Sequence, residues 1–567
     1  MHLPDKKYIT RLTTPLTILL LAFLYWVARY WSIRTYGLYE DDLTFIPAAI
    51  GMKASELINF IFVYITHLYG HSRPLQNSFI FFFSYVGWHL SGLTGIYLMG
   101  YLITTFNIGL FFTLMRRVAH SSFALIAALV YALFSADSTQ VFLTHSLGIQ
   151  PALTFFLLAC HLYLSNRKAA AYLMALLILF TYETPYLMFL AVPLLKKEWN
   201  RRMVREWIQH GAITGALLAT VFALRRIFQT GEVVDLTIGQ MISISMRNSI
   251  QGPLYNLRMF TANSHHALKA FLNPANIQNY AVFLTLTVLV FVVLAAVLTR
   301  LARHQSLTRP ILRTAFTQEF KLIAWMTTAG VVLLILAYPL TLTTDPSSTV
   351  GRGSRVHTAG VVGAAVLAAC AIWSALHLAN IFHLKVLVSI LAAAWMASQA
   401  AYGFTIQDEY RQAWLYQRQF WSELLPLVQD AGRGTVILVE GSKLPETNQI
   451  DANTWNVPRI LSQIYHFPDG WRQAEPRVYL LVPGWETYLD NGDGSFLLDY
   501  HTVASPPALY GSVSSANVIF IDSRGGRLER GPGTLTIGSQ VFSLAPAAKP
   551  VLSGLLHQEL YSLLISP

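Results

Sequence analysis

Apolar segments of close to 20 residues recur along the chain between residues 15 and 402. A helix needs about 20 such residues to cross the roughly 30 Å hydrocarbon core of a bilayer. The pattern therefore predicts an α-helical polytopic membrane protein with about eleven transmembrane helices. The predicted spans are residues 15–32, a second span ending at 117, then 122–135, 148–165, two short helices within 169–195, 210–227, 280–301, 322–342, 359–378 and 384–402.

Two stretches of the first outer loop are apolar but interrupted by polar side chains. Residues 54–69 predict a helix that lies along the membrane interface rather than across it. Residues 75–90 allow two interpretations, either a second interfacial helix or an early start of the second span. The sequence does not separate these two possibilities.

The apolar pattern stops after residue 402, and residues 403–567 are mixed in character. An amphipathic stretch at 408–430 predicts a helix, and short β-rich runs predict strands at 435–439, 477–482 and 517–521. We therefore expect a transmembrane domain at 1–402 and a C-terminal domain of α/β or α+β class at 403–567.

Basic clusters between the apolar segments predict the topology. Placing every cluster on the cytoplasmic face satisfies the positive-inside rule. The clusters are residues 6–11, 116–117, 167–168, 196–205 and 300–321. This arrangement predicts a cytoplasmic N-terminus, an extracytoplasmic C-terminal domain and outer loops at 35–77, 228–279 and 343–358.

Composition supports the membrane location, since 54% of residues are hydrophobic and 12% are charged, against roughly a quarter charged in a soluble domain. The net charge of +11 lies in the topological clusters, which argues against nucleic acid as a partner. The two cysteines, Cys160 and Cys370, lie within apolar runs. We expect both to be buried thiols without a disulfide.

The first candidate for chemistry is an acidic cluster, Glu40, Asp41 and Asp42, just beyond the first span. Three adjacent acids repel one another, so partial burial would raise a pKa or attract a cation or basic partner. A carboxylate just outside the membrane is suited to deprotonating an acceptor hydroxyl. The alternative is a solvated turn paired with Arg34.

The second candidate is a group of cations in the outer loops. Arg73, with His71 two residues earlier, shares the first outer loop, while Arg352 and Arg355 lie in a glycine-flanked loop before span ten. Arginine forks match phosphate oxygens, and glycines let backbone amides approach an anion. The alternative is that these arginines contact lipid headgroups or pair with Asp345.

Tyr182 and Glu183 interrupt an otherwise apolar stretch, and an ionisable group there indicates function. Glu183 is predicted to position Arg73, to hydrogen-bond a sugar, or to serve only as a structural partner of an arginine. Asp137 and His357 are further outer-face polar residues that we expect to support a pocket. No closely spaced metal-ligand set occurs. No cofactor is required if the arginines neutralise the phosphate, although the acidic cluster is compatible with a divalent cation.

These features resemble the GT-C superfamily of integral membrane glycosyltransferases, which contains protein O-mannosyltransferases and the aminoarabinose transferase of lipid A. The resemblance covers roughly residues 8–402 and rests on the acidic segment 39–42, the short helices around Tyr182-Glu183, and the loop of Arg352 and Arg355. It implies a polyprenyl-phosphate sugar donor that is attacked with inversion. It also implies that an acid of the first loop is the general base, with Asp41 as first choice and Asp42 as second.

The chain departs from the GT-C pattern in several ways. It has three adjacent acids instead of a clear pair, which leaves the choice of base open, and Arg73-Pro74 has no certain counterpart. It also lacks a Trp-Trp-Asp signature and a second Asp-x-Asp motif. A donor with one sugar on a lipid phosphate is therefore favoured over a pyrophosphate-linked oligosaccharide. The resemblance implies transfer to a glycan, lipid or protein acceptor. The rivals are a ligase- or polymerase-like enzyme with a pyrophosphate carrier, and a transporter or flippase.

Overall fold

The computed structural model of the protein describes residues 9–67, 73–196, 200–228, 236–304, 312–439, 457–472, 474–480, 486–490, 495–500, 511–524, 527–537, 540–544 and 548–565. The chain divides into two compact units. The first unit comprises Met1–Arg34 and Ala54–Asp408, and the second comprises Thr35–Lys53 and Glu409–Pro567. This division differs from the predicted boundary at residue 402, because residues 35–53, which were predicted to lie in an outer loop, group with the C-terminal residues.

Helices account for nearly all of the first unit. The helices that the structure describes up to residue 427 are, in chain order, α1 Ile9–Tyr30, α2 Asp42–Ile50, α3 Ala54–Thr66, α4 Pro74–Val118, α5 Ser121–Leu133, α6 Leu143–Gly148, α7 Gln150–Leu164, α8 Lys168–Thr181, α9 Arg201–Ile227, α10 Ile238–Leu272, α11 Tyr280–His304, α12 Leu312–Leu336, α13 Val361–Ile381 and α14 Lys385–Leu427. Only α2 and the end of α14 fall in the second unit. Two 3-10 helices, Tyr186–Lys196 and Arg352–His357, lie between these elements.

Eight of the described helices are long and apolar enough to cross a membrane, in agreement with a helical polytopic membrane protein. They are Thr14–Thr35, Pro74–Val118, Leu143–Leu164, Met203–Ile227, Tyr280–Arg303, Glu319–Leu336, Val361–Ile381 and Lys385–Leu427. The other three predicted spans are shorter helices, namely α5, α8 and the 3-10 helix Tyr186–Lys196. The predicted count of eleven exceeds the eight because it includes these three.

The long helix α4 contains a sharp break at Ser91 and Gly92. This break decides between the two interpretations of residues 75–90. Ser91 and Gly92 have non-helical backbone angles, and Gly92 has a positive φ of 57° that favours glycine. A Cβ atom on Gly87 would lie 2.5 Å from the Ile96 Cα, so the chain folds back on itself here. Residues 75–90 therefore form a helix of their own before the second span.

Helix α14 continues through the predicted end of span eleven. It runs unbroken for 43 residues and unites the last span with the amphipathic helix predicted at 408–430. The helix continues through Gly403, whose lack of a side chain allows α14 to pack closely against α1. A Cβ atom there would lie 2.5 Å from the Ala28 carbonyl oxygen of α1.

Helix α10 occupies most of residues 228–279, where the sequence predicted a polar outer loop. It spans 35 residues and begins with a capping box, in which Thr237 and Gln240 satisfy each other's backbone N–H groups. Several of the polar residues that suggested a loop face the protein interior. Asn248, Asn256 and Asn263 are buried.

The second unit contains three β-sheets and short helices. Its strands are β1 Val436–Val439, β2 Arg477–Leu480, β3 Glu486–Asp490, β4 Ser495–Tyr500, β5 Gly511–Ser514, β6 Val518–Arg524, β7 Arg527–Arg530, β8 Thr534–Ile537 and β9 Gln540–Ser543. The largest sheet has the order β2-β1-β6-β7, in which β1 pairs in parallel with β2 and β6. The other sheets are antiparallel, with the orders β3-β4-β5 and β8-β9.

The three strands predicted in the tail are confirmed, and they are the parallel strands β1, β2 and β6. Their apolar side chains contribute Leu438, Tyr479 and Val518 to a buried cluster. Helix α2 packs against two short helices of this unit, α15 Leu461–Ile464 and α16 Glu559–Ile565. The prediction for the cysteines is also confirmed, since Cys160 and Cys370 are buried free thiols.

A bidentate ion pair joins Asp430, which follows the end of α14, to the largest sheet of the second unit. Arg530 on β7 donates from Nη1 and Nη2 to the two carboxylate oxygens of Asp430, at 2.6 and 2.9 Å. Asp430 also accepts from the backbone N–H of Ala548 at 3.1 Å. Burial acts to raise the pKa of Asp430, but the bonds from Arg530 and Ala548 outweigh it and lower that pKa below the ordinary 3.8.

Replacing Asp430 with asparagine should therefore lower the stability of the second unit by about 1.5–3 kcal/mol, the range for hydrogen bonds to a charged group. The Asp430 contribution is full above the unfolded pKa and disappears as the pH falls through the lowered folded pKa. Hydrogen–deuterium exchange of peptides covering β6 and β7 measures the change. Arg527→Ala, at an exposed position of β7, is the matched control, and equal exchange in the two variants would contradict this role for the pair.

Candidate functional site

Glu183 lies in the turn between α8 and the following 3-10 helix. The helix stops at Thr181, and the Tyr186 N–H donates to the Glu183 carbonyl oxygen at 2.9 Å, which closes the turn. The Glu183 side chain is buried, with a relative exposure of 6%. A buried carboxylate needs compensating charge, because its desolvation is otherwise costly.

Arg73 provides the first part of that charge. It is the residue before Pro74, which begins α4, and its guanidinium makes a bidentate pair with Glu183. The Nε donates to Oε2 at 2.9 Å and Nη2 donates to Oε1 at 2.5 Å. The guanidinium carbon also lies 4.7 Å from the centre of the Tyr182 ring. The structure thus brings Arg73 together with Tyr182 and Glu183, which the sequence singled out in two separate segments.

A second arginine, Arg225, completes this network, and the sequence reasoning did not select it as a site residue. It is buried near the end of α9 and donates from Nη2 to the Leu179 carbonyl oxygen at 2.9 Å and to Glu183 Oε2 at 3.4 Å. Its sequence signal was a conflict with the positive-inside rule, because Arg225 falls on the predicted outer side. A charge that violates the topology rule was therefore the available clue.

The loop before α13 carries Arg352 and Arg355. Gly351 has a φ of 64° and a ψ of −162°, a conformation essentially confined to glycine, and it leads directly into the 3-10 helix Arg352–His357. The Ser354 N–H donates to the Gly351 carbonyl oxygen at 3.0 Å. This turn presents both arginines from a short, fixed segment of backbone.

Asp137 holds that loop in place through hydrogen bonds. Its buried carboxylate accepts hydrogen bonds from the hydroxyls of Ser354 and Thr358, at 3.2 and 2.8 Å. It also accepts from the backbone N–H and the hydroxyl of Thr139, at 2.8 and 2.7 Å. Asp137 was predicted to support a pocket, and in the structure it binds the arginine loop through neutral partners.

Arg355 is half-buried in this arrangement. Its Nε is buried and has no hydrogen-bond partner within the part of the chain that the structure describes. Both Arg352 and Arg355 lie within electrostatic range of the buried ring of His145. A guanidinium nitrogen that is removed from water without a hydrogen-bond partner favours the binding of an acceptor, because the acceptor restores the lost hydrogen bond.

His357 lies at the end of the same 3-10 helix and is fully buried. Its Nδ1 is 2.8 Å from the Tyr338 hydroxyl. Burial lowers the pKa of His357 to about 4, so the ring is neutral at physiological pH. His357 is therefore a structural partner of Tyr338 rather than a cation that could bind phosphate.

The acidic cluster of Glu40, Asp41 and Asp42 lies in the second unit. Asp41 immediately precedes α2, and Asp42 is the first residue of that helix. Glu40 and Asp42 are buried, with 3% and 0% exposure, whereas Asp41 is partly exposed. Glu40 has a positive φ of 48°, which is uncommon for a residue other than glycine.

Polar contacts to α14 hold this acidic segment in its conformation. The Tyr39 hydroxyl donates to the Tyr410 carbonyl oxygen at 2.8 Å and accepts from the Gly37 N–H at 2.9 Å. The Gln417 side chain donates to the Leu38 carbonyl oxygen at 3.0 Å. The cluster is therefore part of a well-packed segment, which argues against the alternative of a solvated turn.

No protein-family model, curated protein or solved structure matches this chain. The likeness to GT-C enzymes rests on its motifs and helix order alone. Of the predicted site residues, His71 lies outside the described residues. Among the described residues, no group of three or more His, Cys, Asp or Glu side chains is placed to hold a metal ion.

Proposed function

We propose that the protein is an inverting glycosyltransferase that moves a sugar from a polyprenyl-phosphate carrier to an acceptor hydroxyl on the extracytoplasmic face of the membrane. The acceptor class is a glycan, a lipid or a protein. The observation that carries the proposal is the buried Nε of Arg355, which has no hydrogen-bond partner among the described residues and lies in a loop held by Asp137.

The arginine loop supports the donor half of this proposal. When the bond between the anomeric carbon and the phosphate oxygen breaks, negative charge develops on the leaving lipid phosphate. A guanidinium that is already held in place stabilises this charge without reorganising in the transition state. Arg355 and its neighbour Arg352 are assigned to that role. Asp137 accepts its hydrogen bonds from Thr139, Ser354 and Thr358, so these bonds hold the loop without occupying either guanidinium.

The acidic cluster supports the acceptor half. A general base must be ionised and must be reached by the acceptor, and Asp41 is the acid of the three that is not buried. Asp41 would take the proton of the acceptor hydroxyl as its oxygen bonds to the anomeric carbon. Asp42 is the second choice. Because inversion takes place in a single displacement, no covalent sugar–enzyme intermediate is required.

The Glu183 network has a supporting role in this proposal. Glu183 fixes the guanidinium of Arg73 by two hydrogen bonds, and Tyr182 covers one of its faces. Arg73 retains 24% side-chain exposure, so the fixed cation remains accessible to a polar ligand. We assign Arg73 to donor binding, with Tyr182 and Glu183 as residues that position it.

Membranes containing the protein and a polyprenyl-phosphate donor labelled in its sugar provide the test. Arg355→Gln is expected to slow transfer by about 10²-fold, the usual effect of removing one such charge-stabilising donor. Arg226→Gln, at an exposed arginine, is the matched control and should leave transfer unchanged. Equal rates for the two variants would refute the role of Arg355.

The same assay separates the enzyme from its main rivals. A transporter or flippase would move the labelled donor across the membrane and leave its sugar–phosphate bond intact. A ligase-like enzyme would require a pyrophosphate-linked donor and would be inactive with the monophosphate. Release of free polyprenyl phosphate together with a labelled, inverted product would support the proposed transferase.

A further inference from the structure

Helix α10 has an unusual charge composition for a long, exposed helix. Its 35 residues include Arg247, Arg258 and Lys269 but no aspartate or glutamate. All three basic side chains are exposed. The helix therefore presents only positive formal charge to its surroundings, which favours an anionic partner.

The side of α10 that faces the protein is polar. Three buried asparagines on this side donate from their Nδ2 atoms to backbone carbonyl oxygens of other segments. The acceptors are Thr341 O for Asn248 at 2.7 Å, His357 O for Asn256 at 3.4 Å, and Ser135 O for Asn263 at 3.0 Å. These bonds fix the rotation of the helix about its axis, because a rotated helix would leave buried amide groups unsatisfied.

That rotation leaves the apolar side of α10 exposed. A ridge of large apolar side chains recurs every three, four or eleven residues, with relative exposures from 38% to 67%. Its members are Ile242, Met246, Ile250, Leu254, Leu257 and Leu268. The helix is thus inverted relative to one on a water-soluble protein, which would bury the apolar side and expose the polar side.

The basic residues run in a stripe beside this ridge. Arg247, Arg258 and Lys269 are separated by intervals of eleven residues, which correspond to about three helical turns and so to one line along the helix. The stripe and the ridge extend over the same length of α10. Amphipathic helices that lie in a membrane interface place apolar side chains in the hydrocarbon and adjacent basic side chains among lipid headgroups.

A transmembrane orientation fits α10 poorly. It is not among the helices that are long and apolar enough to cross a membrane, and a 35-residue helix is about 52 Å long. Arg258 lies near its middle, so a crossing helix would carry this charge into the hydrocarbon core. Basic residues spread along the whole length instead suit a helix that lies flat.

We propose that α10 lies along the membrane surface as an interfacial helix, with its apolar ridge in the hydrocarbon and its basic stripe bound to the headgroups of anionic phospholipids. This binding surface is independent of the proposed sugar transfer. Its buried asparagines connect it to Thr341 and His357, which flank the arginine loop. The helix therefore contacts lipid on one side and hydrogen-bonds the segments next to the arginine loop on the other.

Fluorescence quenching on the full-length protein in lipid nanodiscs tests the orientation. In a background with Cys160→Ala and Cys370→Ala, a fluorophore is attached at Ile250→Cys, Leu268→Cys or, as the polar control, His265→Cys. Bromine-labelled lipid tails should quench the first two labels equally, and aqueous iodide should quench the third. A difference in depth between the labels at positions 250 and 268 would indicate that α10 crosses the membrane. Quenching of both labels by iodide would indicate that the apolar ridge faces water. Either result would overturn the proposal, as would protection from both quenchers, which indicates a second protein chain.

A second measurement tests the preference for anionic lipid. Nanodiscs contain phosphatidylglycerol and phosphatidylcholine in a constant ratio, and the bromine is carried by only one of them. The label at Ile250→Cys should be quenched at least about twofold more by the brominated anionic lipid. Combining Arg247→Gln, Arg258→Gln and Lys269→Gln should abolish that difference while quenching by lipid tails persists. Equal quenching by both lipids in the unmodified helix would overturn the anionic preference.

Discussion

Replacement of Asp41 with asparagine is expected to slow sugar transfer by about 10²- to 10⁴-fold, the usual contribution of a positioned general base. The amide has nearly the same shape but cannot accept a proton from the acceptor hydroxyl. The effect should appear in the rate at saturating donor, because the base acts on the acceptor during bond formation and does not hold the lipid phosphate. The measurement is release of polyprenyl phosphate from a labelled donor in membranes.

Two further variants make the Asp41 result specific. Glu56→Gln removes an exposed acid elsewhere in the first outer loop and should leave the rate unchanged. Asp42→Asn distinguishes the two candidate bases, since a large loss there with normal transfer by Asp41→Asn would assign the role to Asp42. Normal transfer by the variant that lacks both aspartates would refute the proposed reaction.

Replacement of Glu183 with glutamine is expected to destabilise the first unit by about 3–5 kcal/mol, because it leaves Arg225 as a buried charge without its counter-ion. Arg225 has 7% side-chain exposure and cannot reach water readily, whereas Arg73 is partly exposed. The thermal unfolding midpoint in detergent and hydrogen–deuterium exchange of peptides that cover α8 measure the loss.

A rescue variant and a matched carboxylate test this explanation. Combining Glu183→Gln with Arg225→Met removes the buried cation as well and should restore most of the stability. Glu206 also binds two cations, Lys168 at 3.0 Å and Lys196 at 2.7 Å, but it is more exposed at 19%. Glu206→Gln should therefore cost only about 1 kcal/mol. An equal loss for the two carboxylates, or no rescue, would show that burial of Arg225 is not the cause.

The membrane helices were predictable because each depends on a local property, namely a run of apolar residues of sufficient length. The three parallel strands β1, β2 and β6 were predictable for the same reason. The continuity of α14 was not, since Gly403 is a helix-weakening residue whose purpose is visible only in its close approach to Ala28. Helix α10 was missed because its asparagine and serine residues suggested a polar loop, and only the structure shows that Asn248, Asn256 and Asn263 are buried.

The candidate site shows the same distinction between local and long-range information. Sequence reasoning selected Arg73, Glu183, Asp137 and Arg355 because charged residues are rare in such an apolar chain. It could not assign partners, because Glu183 and Arg73 are 110 residues apart and Asp137 and Thr358 are 221 apart. It also named His357 as a pocket residue, but it could not foresee that this buried ring lies 2.8 Å from the Tyr338 hydroxyl.

The sequence by itself determined that this is a polytopic helical membrane protein, and it located an acidic segment after the first apolar helix and arginines outside the apolar segments. Those conclusions depend on hydropathy and charge, which can be read one segment at a time. Only the tertiary structure decided that Arg225 shares Glu183 with Arg73, that Asp137 anchors the arginine loop, and that residues 35–53 belong with the C-terminal unit. Each of these depends on which distant segments are packed together, and packing assigns hydrogen-bond partners that no single segment contains.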